Sequence, residues 1–151
     1  MAVEAIDETG RYPRAPEVAA VLQALLDERG LGEREVTLVL VDDEAIARLN
    51  ERDRGVEGPT DVLSYPTSEP DDVGYPAVPH LGDVIVSVDT ASRQAAAAGH
   101  DLDTEVVTLA AHGLTHLLGH DHVTEGEWQP FVAAQERAVA LLRAGVGAAE
   151  E

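Results

Sequence analysis

Two histidines four residues apart, a glycine three further on and another histidine three beyond that constrain this chain more than any other feature. They lie in His112-Gly113-Leu114-Thr115-His116-Leu117-Leu118-Gly119-His120-Asp121-His122. On an α-helix, positions i and i+4 differ by roughly 40° of rotation and ~6 Å of rise, so both imidazoles can meet one ion from one face. Gly119 can take a left-handed conformation that ends the helix and turns the chain back, bringing His122 to the same ion. Three imidazoles leave zinc one position short of tetrahedral, and in catalytic sites water or substrate takes that position. The expected cofactor is one zinc per chain, held by His112, His116 and His122.

A histidine pair at this spacing, taken alone, is more often packing or hydrogen bonding than metal ligation. The turn glycine and third histidine make the metal reading the stronger one. His120 competes as third ligand, but one residue past the glycine the chain has little room to reverse, which favours His122. Asp121 either orients a ligand imidazole or caps the turn. The spacing is also that of the metzincin proteases, H-E-x-x-H-x-x-G-x-x-H, and predicts a zincin-like metal helix. Gly113 stands where those proteases carry the glutamate that deprotonates the metal-bound water. The ligand pattern points to hydrolysis, and the absent base points away from peptide bonds.

At 151 residues the chain is expected to form a single domain, residues 1–151, with a frayed tail from 144 onward. It has no cysteine, which excludes disulfides and thiolate metal sites. No stretch approaches the ~20 apolar residues of a membrane span, and Met1 to Gly10 lacks the basic-then-apolar layout of a signal peptide. A cytoplasmic protein is expected. The formal net charge is −19, and all 10 basic residues are arginines. Such a surface repels polyphosphate at long range, so weak nonspecific nucleic-acid binding is expected.

Apolar periodicity predicts a helix over 16–29, ended by Gly30, and β-branched alternation predicts a strand over 35–41. Asp42 or Asp43 caps a helix through about Arg52. A short strand over 60–65 stops at Pro66, and an irregular loop follows to His80. A second apolar strand spans 82–88, then a helix capped by Asp89 or Thr90 runs to Ala98. The metal helix covers 104–118 and is apolar nearly all round, so it should be buried. A last helix over 125–142 should pack through Trp128, Phe131, Val132, Val139 and Leu142. Without strict alternation of strands and helices, the expected class is α+β, a small mixed β-sheet covered by helices.

With these segments placed, the chain resembles the YbeY family of rRNA-maturation endoribonucleases. His112 to His122 matches that family's H-G-x-L-H-L-x-G-x-D-H signature. Pro59-Thr60-Asp61-Val62-Leu63-Ser64-Tyr65-Pro66 resembles its P-T-D-V-L-S-F-P strand, and Leu81-Gly82-Asp83-Val84-Ile85-Val86-Ser87 its L-G-D-I-x-I-S strand. Asn50 and Arg54 match its L-N-x-x-x-R-G segment, and the resemblance covers roughly residues 35 to 140. Four positions depart: Thr115 replaces a leucine, His120 stands where tyrosine is frequent, and Val56 and Gly58 fall where lysines are usual. A threonine at 115 can bond back to its own helix with little effect on metal. Losing two lysines beside Arg54 weakens RNA binding by the isolated chain.

The resemblance implies a zinc-dependent, single-strand-specific endoribonuclease acting in 16S rRNA 3′-end maturation and ribosome quality control. Its implied partners are rRNA and the small ribosomal subunit, reached through ribosomal proteins or an assembly GTPase. It assigns His116 to catalysis as well as metal, and Arg54 to the RNA, where a guanidinium fork suits phosphate oxygens; spacing alone would leave Arg54 an exposed loop residue. Asp61 and Asp83 are weaker candidates for a base than for turn or strand-edge hydrogen bonds, and His80 and His100 read as solvated loop residues. Two rivals remain: a metalloprotease-like hydrolase drawing its base from elsewhere, and a non-enzymatic ribosome assembly factor with a structural metal.

Overall fold

The computed structural model describes residues 2–67, 80–120 and 125–146. Four strands, β1 (Val3–Asp7), β2 (Glu35–Val41), β3 (Val62–Pro66) and β4 (His80–Ser87), form one sheet in the order β1-β2-β4-β3. β1 and β4 flank β2 in parallel, and β3 runs antiparallel to β4. The helices are α1 (Ala15–Glu28), α2 (Asp43–Arg54), α3 (Val88–Ala98), α4 (Leu102–Leu117) and α5 (Gln129–Arg143), with a 3-10 turn over Glu125–Trp128 before the last. This is the expected mixed sheet under helices, and the class is α+β.

Side-chain alternation sorts the two faces of the sheet. Val36, Leu38 and Leu40 of β2, with Val84 and Val86 of β4, enter the main core against Val18, Leu22 and Leu25 of α1 and Val107, Ala110 and Leu114 of α4. On the opposite face Val41, Leu63 and Ile85 meet Ile46 of α2. α4 therefore lies between the sheet and the outer helices, and its buried residues cover most of its circumference.

Local chemistry sets the helix ends. Asp42 caps α2 by accepting from the Ala45 amide at 2.8 Å, and Asp101 does the same for Thr104 of α4 at 2.8 Å. The cap of α3 is Ser87, accepting from the Thr90 amide at 3.2 Å, and not Asp89 or Thr90. Asp89 instead accepts from the Asp43 amide at 2.9 Å, joining α3 to α2.

Three sequence expectations need correction. The sequence pattern marks no strand in the first ten residues, yet β1 pairs along β2 from Val3↔Val36 to Asp7↔Leu40. Only Val3 and Ala5 of β1 face the core, and its partner lies more than thirty residues away, so no local pattern marks it. α5 buries Phe131, Ala134, Ala138 and Leu141, while Trp128 and Val132 are 42% and 41% exposed. The buried face of α5 follows the 131-134-138-141 stripe, in which two positions are alanine, and that stripe leaves Trp128 and Val132 on the outer side. His80 opens β4, is half-buried and bonds Asp83 at 3.1 Å, so it is not a solvated loop residue; His100 is exposed in the bend before α4, as expected, and meets Glu105 at 2.6 Å. The loop expected after Thr67 and the tail beyond 146 lie outside the described residues.

Candidate metal centre

α4 carries His112 and His116 one turn apart near its C-terminal end, both half-buried. Their ring centroids are 4.9 Å apart at an interplanar angle of 71°. The helix stops where expected. Gly119 has φ of +96°, its amide donates to the His116 carbonyl at 2.9 Å, and the His120 amide reaches the Thr115 carbonyl at 3.4 Å. Together these bonds form a Schellman motif, which satisfies the last carbonyls and reverses the chain. Thr115 bonds back to the Ala111 carbonyl at 2.8 Å and is buried, as its side-chain chemistry suggested. His122 and Asp121 lie outside the described residues, and among the described residues no three potential ligands gather as a group.

Both histidines are held from behind. His116 Nδ1 sits 3.2 Å from the His120 carbonyl oxygen, so it must donate there and present Nε2 as the lone-pair nitrogen. His112 Nδ1 sits 3.0 Å from Nε2 of the Gln135 side-chain amide, which reaches across from α5. A half-turn of that amide exchanges its oxygen and nitrogen, and with the oxygen inward it accepts the Nδ1 proton. Phe131, fully buried, packs with its ring centroid 4.8 Å from that of each imidazole and restrains both rings. Metal-binding histidines are oriented in this way, through the nitrogen that does not ligate. Two imidazoles restrained at Nδ1, with ring centroids 4.9 Å apart, form a donor set that fits zinc.

Gly113 has a packing reason. A Cβ there would lie 2.6 Å from Val84 Cγ1, 3.0 Å from Ser64 Oγ and 3.2 Å from Val62 Cγ2. The helix backbone rests directly on β3 and β4, and Ser64 donates to the Gly113 carbonyl at 3.0 Å. A glutamate at this position would have to enter the sheet.

In front of the histidines opens a cavity of about 520 Å³, lined by Arg54, Thr60, Asp61, Val62, Leu63, Ser64, Pro66, His112 and His116. Arg54 ends α2, is exposed, and makes no ion pair among the described residues. The tertiary fold thus brings it to the histidines from 58 positions away in the chain. Its helix end is clasped to β3: Tyr65 donates to Asp53 at 2.7 Å, and Arg52 holds the same carboxylate at 2.7 and 2.8 Å. Arg52 and Tyr65 hold the Asp53 carboxyl down at about 2, while partial burial and the bond to Asp53 push the Tyr65 hydroxyl up to about 12.

Asp61 lines the cavity, but Oδ1 accepts from the Val62 amide at 2.8 Å and Oδ2 from Gln94 at 3.2 Å. It shapes the start of β3, in keeping with a turn-capping role, and Asp83, on the interior strand β4, is engaged by His80. The sequence pattern gives Gln135 no role, Phe131 only a packing role, and Ser64 only a place in the strand motif. Each touches the centre through a contact far along the chain, and none belongs to a spacing pattern.

Among the described residues no helix is long and apolar enough to cross a membrane. Residues 10–143 match the family described as Endoribonuclease YbeY. A protein of that name from Thermus thermophilus is 48% identical over 133 residues, covering 87% of this chain and 94% of its own. Its counterpart from Deinococcus radiodurans is 48% identical over 141 residues, with coverage of 86% and 90%. The fold is shared with the solution structure of TM1509 from Thermotoga maritima, at a TM-score of 0.66 and 21% identity over 99% of this chain and 97% of that one.

Proposed function

We propose a function from one premise: the chain belongs to the Endoribonuclease YbeY family. It is read as a hydrolase of phosphodiester bonds in single-stranded RNA, with zinc held by His112, His116 and His122. The observation that carries this reading is the placement of Arg54 and the two restrained histidines on one cavity.

When bound, zinc lowers the pKa of its water and polarises a phosphoryl oxygen, which lessens the need for a glutamate base on the helix. The chain's own residues do the rest. With the Gln135 amide oxygen turned toward it, His112 keeps its proton on Nδ1 and presents Nε2, as His116 does through the His120 carbonyl. Arg54 offers its planar fork to the non-bridging oxygens of the scissile phosphate, countering the charge that grows as water adds and the P–O bond breaks. The Asp53–Tyr65 clasp keeps the end of α2 against β3, so that Arg54 stays at the cavity rim. A metalloprotease would need a carboxylate facing the water, and Gly113 against Val84 leaves no room for one on the helix.

The biological setting proposed is cytoplasmic 16S rRNA 3′-end maturation and ribosome quality control. With a net charge of −19, the chain is expected to engage rRNA on the small subunit, where ribosomal proteins or an assembly GTPase supply positive charge. The test is zinc content and cleavage of single-stranded RNA measured together on wild type and His116→Ala, purified without chelator or histidine tag. One zinc per chain with cleavage is expected, both lost in the variant while its circular dichroism and melting stay near wild type. Cleavage persisting without metal overturns the mechanism. Metal-replete protein that never cleaves, even on ribosomal subunits, supports an assembly factor instead.

A further inference from the structure

This inference rests on the nuclease reading and concerns how the chain holds its RNA. Electrostatic attraction is scarce: Arg11, Arg14, Arg48, Arg52, Arg93 and Arg137 are each paired with a carboxylate, and among the described residues Arg54 is the one cation lining the cavity. An enzyme of this charge needs an attraction that does not depend on phosphate. Aromatic stacking on nucleobases is such an attraction, because every base has a π-face and carries no net charge.

Trp128, the only tryptophan in the chain, is 42% exposed at the start of α5. Its ring lies 6.2 Å from His112 and meets buried Phe131 at 5.9 Å, edge-on at 62°. Phe131 and His112 therefore set the orientation of a large aromatic plane beside the metal centre. His112 belongs to both walls, since it also lines the cavity that holds Arg54, whereas Trp128 does not. The residue directly before Trp128 is acidic, Glu127, and no arginine lies within eight residues on either side of the ring in the chain. An isolated exposed tryptophan would be unremarkable on a surface; its contact with a candidate ligand gives it meaning.

We propose that Trp128 is a stacking platform for a nucleobase next to the scissile phosphate, with Arg54 taking the phosphate and Trp128 the base. Because the chain has one tryptophan, its emission reports this contact directly. The probe is a single-stranded phosphorothioate RNA of about ten nucleotides, compared with an abasic oligomer of the same backbone. The base-bearing strand should quench emission and the abasic one should not. Trp128→Ala should weaken binding roughly tenfold, and Trp128→Phe should keep most of it. That loss should be the same at low and raised salt, and should appear in KM for cleavage with kcat nearly kept. Binding without quenching, or equal binding by Trp128→Ala, overturns the platform; if wild type still cleaves RNA, the nuclease reading survives. Wild type that neither binds nor cleaves RNA overturns both. Quenching by a ribosomal protein and not by RNA would reassign the surface to protein docking.

Discussion

Gly113 on α4 and Val84 on β4 approach so closely that one added carbon would sit 2.6 Å from the valine methyl. The residue that separates this helix from its protease counterparts is thus tied to packing before chemistry. Val84 is fully buried on a central strand, and a β-branched side chain there cannot swing aside.

Gly113→Ala gains up to about 1 kcal/mol of helix propensity but meets an overpacking cost of about 1–3 kcal/mol. Net destabilisation of about 1–2 kcal/mol is expected in urea unfolding. Val84→Ala in the same chain should recover part of it, since the two positions share one contact. Additive losses in the double variant would refute the steric account.

The two candidate ligand histidines should respond differently to changes behind them. Gln135→Leu removes the partner of His112 Nδ1 and should lower zinc affinity roughly tenfold or more, read by equilibrium competition with a chelator. Gln135→Glu, able to accept the same proton, should hold zinc at least as tightly as wild type. His116 takes its partner from the backbone of His120, so no side-chain substitution at 120 should mimic the loss. Unaltered affinity in Gln135→Leu would dismiss the orienting role.

Arg54→Ala should cut RNA cleavage roughly 10²-fold while zinc content and melting temperature stay near wild type. Arg54→Lys should restore only part of the rate, because a point charge does not reproduce the planar fork. A parallel loss of zinc would place Arg54 in the support of the centre rather than on the phosphate.

The Asp53–Tyr65 clasp titrates at both ends of the pH scale. Tyr65 is raised from an ordinary value near 10 to about 12, so its contribution is complete below pH ~10 and lost as pH rises toward 12. Asp53 is lowered to about 2, so its contribution is complete above pH ~4 and lost as pH falls through 2. Tyr65→Phe should be less stable than wild type at neutral pH, and the gap should close between pH ~10 and ~12. A gap independent of pH in chemical denaturation would show that the hydroxyl bond contributes nothing.

Several elements were legible in the chain because their causes are local. The span of β2, the Asp42 cap and the turn at Gly119 each follow from neighbouring residues, and all stand as read. The ligand spacing on α4 belongs to the same class, since 3.6 residues per turn place His112 and His116 on one face in any helix. Other features depend on what the helix meets. Nothing adjacent to Gly113 reports the valine beneath it, nothing near Gln135 points to His112, and Trp128 reads as core until the buried stripe of α5 is set against α4. Sequence periodicity determines which residues share a face. Only packing between segments distant in the chain decides which face is buried, what closes on each histidine, and that Arg54 arrives at the same cavity.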